Sequence, residues 1–422
     1  MRVTRAIRSA AKLAGIVIVG MARICGALLR GDTRYAGDLT RVLMWTVQQD
    51  FLLALAAAQR LVMSVPPRDI ERVLVIKLDR IGDMVNTTPV IDALHELFPR
   101  ARVDVLGHPT SLALLDGDDR VGERIPYRSW LYHPLPVLPP GPRTWALVAK
   151  LMWRRYPLVV YLRGSYSFLT LGLVSRLAPF KFVAGEPIVE QLLLPLESLY
   201  GPVTHSAPRL RVANGFAEFG RRVLSHREAD ADGPAVVIHA SASNATKVWP
   251  PERIAAVADE LVTSFDARVH IVGGPSDGEI LSQVASAAGR QHIYHGDLSI
   301  GQVAGVIAAC DLFIGNDSGL SHIAAATGRR VIVLWGSASL KLCRPVVPPE
   351  RCIILYHDVS CRATCPEIAC TNRDHPLECL MRIQVADVIA AAAQLLQPRR
   401  ESRTARHRSI PLVVAEPSTN TI

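Results

Sequence analysis

The chain has 422 residues, 49% hydrophobic and 20% charged, with a formal net charge of +9. That length exceeds one ordinary core and predicts two domains with extensions, and the apolar excess excludes a disordered chain. The basic balance favours nucleotide phosphates, phosphorylated glycolipids or an anionic membrane. Nucleic acid is set aside as a partner, because the cations are scattered and no helix-turn-helix, zinc-finger or aromatic RNA-binding signature occurs.

Residues 1–70 read as an amphipathic helical extension. On a helical wheel Arg5, Arg8, Lys12, Arg23 and Arg30 gather opposite Ile7, Val17, Met21, Cys25 and Leu28, a pattern suited to the surface of a membrane. Residues 10–29 approach the length of a spanning helix but carry Lys12 and Arg23, so a helix lying on the cytoplasmic leaflet is preferred to a span. The interrupted apolar stretch and the absence of a clear small-residue cleavage site count against a signal peptide. Residues 39–63 read as a second, mostly apolar helix; a helical hairpin covering a sheet edge is the simpler alternative for the pair.

A first α/β domain is predicted over 71–224. Strand 73–78 runs into Gly82 and Asp83, followed by helix 89–97, strand 102–106, a helix near Ser111 and an irregular Pro-rich stretch at 126–142, placed where a loop could shape an acceptor site. Helix 143–155 and strand 158–162 resume the alternation, the polar turn Arg163, Gly164, Ser165 follows, and helix 210–224 closes this half. Arg163 suits an acidic acceptor or an ion pair. A linker is predicted at 225–234.

The second domain, 235–397, repeats the alternation. Strand 235–239 leads into a hydroxyl-rich loop with Ser243 and Lys247, and Pro250 and Pro251 start helix 251–265. Strand 268–272, helices 279–288 and 300–309, strand 311–314, helix 320–327, strand 330–335 and helix 385–397 complete it, with Gly328 stopping helix 320–327. The tail 398–422, rich in Arg, Ser, Thr and Pro, is expected to be disordered and basic.

The run from Gly315 through Asp317, Ser318, Gly319, Leu320 and His322 carries the most chemistry. A glycine-containing turn that ends an apolar strand and opens a helix directs backbone N–H groups and a positive dipole end at an anion. Asp317 adds an acceptor for sugar hydroxyls, although Asp317 or Ser318 could instead cap the helix. Loops at 73–89 and 239–250 have the same strand-to-helix form, and ligands of open α/β sheets collect at such strand ends. Eight cysteines argue against a disulfide framework in a cytoplasmic protein. Four of them, Cys361, Cys365, Cys370 and Cys379, cluster near His357 and His375 in spacings that match no standard zinc motif, leaving either a structural metal or reduced thiols packed in a loop.

Taken together, the Gly-Asp pair after the first strand, Lys247-Val248-Trp249-Pro250 and the Asp-Ser-Gly-Leu-Ser-His run at 317–322 resemble the glycosyltransferase family 9 heptosyltransferases over about residues 70–397. The resemblance implies a GT-B fold, two Rossmann-like domains facing across a cleft. It implies Asp83 as general base, with Asp79 a weaker candidate, and Lys247, Ser243 and the turn at Asp317, Ser318, Gly319, Leu320 and His322 as donor-binding groups. Leu298 falls at an apolar position against the adenine, or is simply core. Ser276 stands where related enzymes often place Glu, which makes Asp277 or Glu279 the candidate substitutes and leaves the sugar open.

Arg163 and Ser165 are acceptor-side candidates. The resemblance further implies inverting transfer that requires no cofactor, and a Cys-rich segment at 343–379 of structural character. The function so read is transfer of heptose from ADP-L-glycero-D-manno-heptose to a lipopolysaccharide core at the inner face of the cytoplasmic membrane. Another nucleotide sugar, a protein acceptor such as an autotransporter, or a nonenzymatic membrane-docked sugar-nucleotide binder are the alternatives. An NAD-dependent oxidoreductase is disfavoured because 77–83 lacks G-x-G-x-x-G.

Overall fold

The computed structural model describes residues 69–78, 80–128, 142–162, 188–225, 233–365 and 369–396, together with Leu29. The rest of the N-terminal extension, Asp79, most of the Pro-rich stretch, Arg163 and Ser165, the middle of the linker and the tail lie outside the described residues.

The first half contains β1 (Arg72–Lys77), α1 (Ile81–Val85), α2 (Thr88–Leu97), β2 (Arg102–Gly107), α3 (Pro109–Leu112), β3 (Val121–Pro126), α4 (Pro142–Trp153), β4 (Leu158–Tyr161), α5 (Ile188–Tyr200) and α6 (Asn214–Ser225). Its four strands form a parallel sheet in the order β3-β2-β1-β4. Every residue of β1 after Arg72 is buried, as expected of a strand covered on both faces. Edge strand β3 escapes the apolar signal because its middle carries Gly122, Glu123 and Arg124, polar residues that an edge tolerates. Helix α5, also absent from the sequence expectation, buries Leu192, Leu193 and Leu196 beside α2.

Two boundaries differ in ways that matter for the site. Gly82 and Asp83, expected in a loop, lie inside α1: Arg80 is its extended N-cap, and the Asp83 carboxylate accepts the Arg80 backbone N–H at 3.3 Å. A carboxylate three places into a helix stabilises so short an element by satisfying an orphan donor and opposing the dipole. Helix α6 starts four residues later than expected, because Leu210 instead donates its N–H to Ala326 O at 3.0 Å. Although α6 closes the first half in sequence, it packs against a helix of the second half, α9 below.

The second half contains β5 (Ala235–His239), α7 (Pro251–Phe265), β6 (Arg268–Val272), α8 (Gly278–Ala287), β7 (Ile293–His295), α9 (Ile300–Ala309), β8 (Leu312–Asn316), α10 (Gly319–Ala326), β9 (Arg330–Leu334), α11 (Leu340–Cys343), β10 (Cys352–Leu355), α12 (Glu378–Met381) and α13 (Val385–Leu396). The parallel sheet runs β10-β9-β8-β5-β6-β7. Both edge strands, β7 and β10, are too short to announce themselves in sequence. Gly328 takes φ +75° just beyond α10, the left-handed conformation that ends helices.

The strand orders locate the cleft. Strand order reverses between β1 and β4 in the first sheet and between β5 and β8 in the second, and crevices outside such switch points are where doubly wound sheets bind ligands. Asp83, on α1, follows β1, while the loops after β5 and β8 carry Lys247 and Asp317 respectively.

One buried pair gives the second sheet a pH dependence. His270 on β6 lies with Nδ1 3.2 Å from His295 Nε2, the rings stacked at 5.5 Å. Burial first, then the His295 and Arg268 charges, pushes the His270 imidazole down to about 4, and burial also lowers His295, with the Asp297 charge opposing that shift. The unfolded chain, with a histidine near 6.5, therefore binds more protons between about pH 6.5 and 4, and stability falls as pH drops through that window. His270→Gln is expected to flatten this part of a melting-temperature profile; a profile parallel to the parent's would assign the slope to other groups.

Candidate active site

Strand β5 delivers His239 and then the loop that holds Ser243 and Lys247. The loop is pinned from behind: Trp249 is fully buried and donates its backbone N–H to Asn316 Oδ1 at 3.1 Å, while Asn316 Nδ2 donates to Ala240 O at 2.7 Å. Asn316, itself fully buried at the end of β8, thereby ties the loop to the anion-site turn, and Ser321 Oγ closes the turn on Asn316 O at 2.8 Å. Thr246 is buried and accepts from Ser337 Oγ at 3.4 Å. With its neighbours fixed, Lys247 places Nζ 2.7 Å from Asp317 Oδ2, the two side chains only 13% and 7% exposed.

That pair decides between the two readings of the turn. Ser318 is the N-cap residue of α10 but makes no side-chain cap bond; its Oγ lies 3.3 Å from His239 Nδ1. Asp317 turns to Lys247. Neither side chain serves as the helix cap, which leaves both as polar groups of the cleft.

Asp277 and Glu279, the two candidates to replace the missing Glu, part company. The Asp277 carboxylate accepts Gly274 N–H at 2.8 Å and sits 3.9 Å from His239 Nε2; these partners, His239 first, hold it down at about 2. Glu279 is exposed and accepts from Gln283 along α8 at 3.4 Å. Ser276 is exposed and bonds only locally, to Asp277 Oδ1 at 3.5 Å. Leu298 and Leu320 are half-buried against the cluster that includes Val237, Val303 and Phe313.

The first domain meets this surface through α1. A side chain at Gly82 would have its Cβ 2.9 Å from His322 Cδ2, and one at Gly319 would have its Cβ 2.9 Å from Ile81 Cβ, so the two glycines let α1 and α10 touch across the cleft. Asp83 stands on this contact with 29% of its side chain exposed, 3.9 Å from the Nζ of Lys77, which is buried and donates to Leu162 O at 3.0 Å. Arg80 Nη1 donates to Ser243 Oγ across the cleft at 2.6 Å. His322 lies buried among these groups. Burial lowers its pKa, Asp317 and Asp83 oppose the shift, and Lys247 adds to it, so the ring is neutral near pH 7.

Lys77, Arg80, His239 and Asn316 were not singled out as site residues from sequence. Lysine at the end of a strand after an apolar run was the one available signal. Of the cysteines, Cys379 is buried, Cys361 and Cys365 half-buried and Cys370 exposed. Burial raises the Cys379 thiol pKa, and Cys361 and Cys365 are near enough to add to the rise. Among the described residues no group of three or more His, Cys, Asp or Glu side chains is arranged to hold a metal ion.

Two parallel sheets, joined where α1 of the first half meets α10 of the second, make a fold of GT-B type. Residues 186–370 match the sequence profile described as glycosyltransferase family 9 (heptosyltransferase). The chain is 31% identical over 121 residues to lipopolysaccharide heptosyltransferase 2 of Escherichia coli K12, a match covering 27% of this chain and 34% of the relative. It thus spans about a third of the length of the first curated relatives it matches. Over 293 residues it is 26% identical to E. coli lipopolysaccharide heptosyltransferase 3, covering 63% of this chain and 83% of the relative.

Among solved structures, it resembles a glycosyltransferase family 9 protein of Veillonella parvula (TM-score 0.66, 18% identity, 79% of this chain and 98% of that one). It also resembles the E. coli ADP-heptose lipopolysaccharide heptosyltransferase II (TM-score 0.62, 21% identity, 77% and 98%). These two likenesses establish the fold.

Proposed function

We propose that the chain is an inverting glycosyltransferase that moves heptose from ADP-L-glycero-D-manno-heptose to a lipopolysaccharide core acceptor. The observation that carries this reading is the meeting of Asp83, Asp317 and Lys247 around the buried imidazole of His322, across the contact of α1 with α10. In this scheme Asp83 accepts the proton of the acceptor hydroxyl as its oxygen attacks the anomeric carbon. The carbon–oxygen bond to ADP breaks on the opposite face. Lys247 and the N-terminus of α10 offset the charge that develops on the departing diphosphate, which is the task a divalent ion performs in other transferases. We therefore propose no cofactor for catalysis.

Asp277 rather than Glu279 is the carboxylate we assign to the donor side, because it alone of the two turns toward β5. A donor other than ADP-heptose is the second reading, favoured by exposed Ser276 at the position where the family resemblance leads one to expect Glu. Placement at the inner face of the cytoplasmic membrane belongs to the same proposal and is supported by the cation stripe in 1–70. Among the described residues no helix is long and apolar enough to cross a membrane.

The test is incubation of the full chain with heptose-deficient core lipopolysaccharide and ADP-heptose, or UDP- and GDP-sugars, read by mass spectrometry of the glycolipid. Addition of one heptose from ADP-heptose, with release of ADP, is expected. Transfer from a different donor would reassign the sugar, and nucleotide binding without transfer to any glycolipid would remove the proposed acceptor.

A further inference from the structure

Resting on the reading of the cleft as a nucleotide-sugar site, we propose that Arg80 is a ligand of the donor's diphosphate, supplied by the acceptor domain to a phosphate site otherwise built by the donor domain. Its Nη1 donates to Ser243 Oγ at 2.6 Å, a bond that joins residues 163 positions apart and crosses the cleft. Ser243 lies on the same short loop as Lys247. A hydroxyl that accepts from a guanidinium keeps its own hydrogen to donate, so Arg80 leaves Ser243 oriented to offer that hydrogen to a phosphate oxygen. The guanidinium has five donors in a planar fork, and the fork matches two phosphate oxygens at once.

Charge within the cleft supports the same assignment. The Nζ of Lys247 is shared with Asp317 at 2.7 Å, and Asp83 and Asp277 add two further carboxylates. A diphosphate brought in beside three carboxylates requires more positive charge than one lysine already in an ion pair provides. Lys77 is buried behind Asp83 and turned to Leu162 O. Arg80 is exposed at the cleft and already reaches the loop that carries Lys247.

The position of Arg80 is also fixed. It is the N-cap of α1, its backbone N–H held by Asp83, and α1 is seated on α10 by the close approaches at Gly82 and Gly319. Diphosphate binding would therefore draw on both domains and favour their apposition, the arrangement in which Asp83 faces the donor.

Titration calorimetry of the full chain with ADP, AMP and adenosine, in Arg80→Ala, Arg80→Lys and Arg80→Gln, tests the assignment. Arg80→Ala is expected to lose ADP affinity by about 10- to 100-fold, the span of a charge-assisted hydrogen bond, with adenosine affinity unchanged. Arg80→Lys should recover part of the loss. Arg80→Gln, which keeps a donor for Ser243 without the charge, should not. ADP affinity unchanged in Arg80→Ala, or restored in full by Arg80→Gln, overturns the ligand role, as does an equal loss for ADP and adenosine, which would make Arg80 a domain latch only. Failure of the parent protein to bind ADP, UDP or GDP would instead bring down the nucleotide-sugar reading and this assignment with it, an outcome distinct from a parent that binds and an Arg80→Ala variant that binds equally.

Discussion

Asp83→Asn is expected to bind ADP like the parent and to lose about 10²- to 10⁴-fold in transfer rate, the usual contribution of a positioned general base. The amide preserves the shape of the carboxylate, and its oxygen can still accept the Arg80 N–H that starts α1. Lys77 keeps its bond to Leu162 O. What is lost is the capacity to take a proton from the acceptor hydroxyl. Steady-state rates beside calorimetric ADP affinity check this, with the melting temperature as control. Near-normal turnover would remove Asp83 from the chemistry, while a variant that melts early and loses ADP as well would show that the carboxylate serves chiefly to hold α1 against α10.

The parts of the fold that were legible in sequence are those whose signals are local. Strands β5 and β6 and helices α7 and α9 have the boundaries expected from apolar runs and from their flanking residues, such as Pro250 and Pro251. Edge strand β3 carries charge in its middle, and α1 spans only five residues; neither has enough periodicity to read. The site divides in the same way. Asp83, Lys247 and the 317–322 turn could be marked because their residue types and strand-end positions have a chemical meaning.

Their partners depend on tertiary placement. Asn316 reads as part of a turn until its amide is seen to bond two backbone groups from another loop. Lys77 reads as the end of a strand until its ammonium is found behind Asp83. The contacts of Arg80 with Ser243 and of Gly82 with His322 bridge the two domains, and no local pattern encodes a contact of that separation. The choice between Asp277 and Glu279 likewise rested on where Gly274 and His239 lie, since both carboxylates fall near the same strand end.

Lys247→Ala is expected to weaken ADP binding by about 10- to 100-fold and also to destabilise the second domain, because Lys247 answers two charges. Its ammonium pairs with Asp317, whose buried Oδ2 has no further hydrogen-bond partner among the described residues. Removing one member of a buried ion pair leaves the other uncompensated, at a cost of about 3–5 kcal/mol, whereas neutralising both avoids most of that cost. Lys247→Ala combined with Asp317→Asn should therefore recover most of the lost stability in urea denaturation while ADP affinity stays low. If the double variant instead regained ADP affinity together with stability, Lys247 would be present to neutralise Asp317, and the phosphate would have to be held by other groups of the cleft, Arg80 foremost.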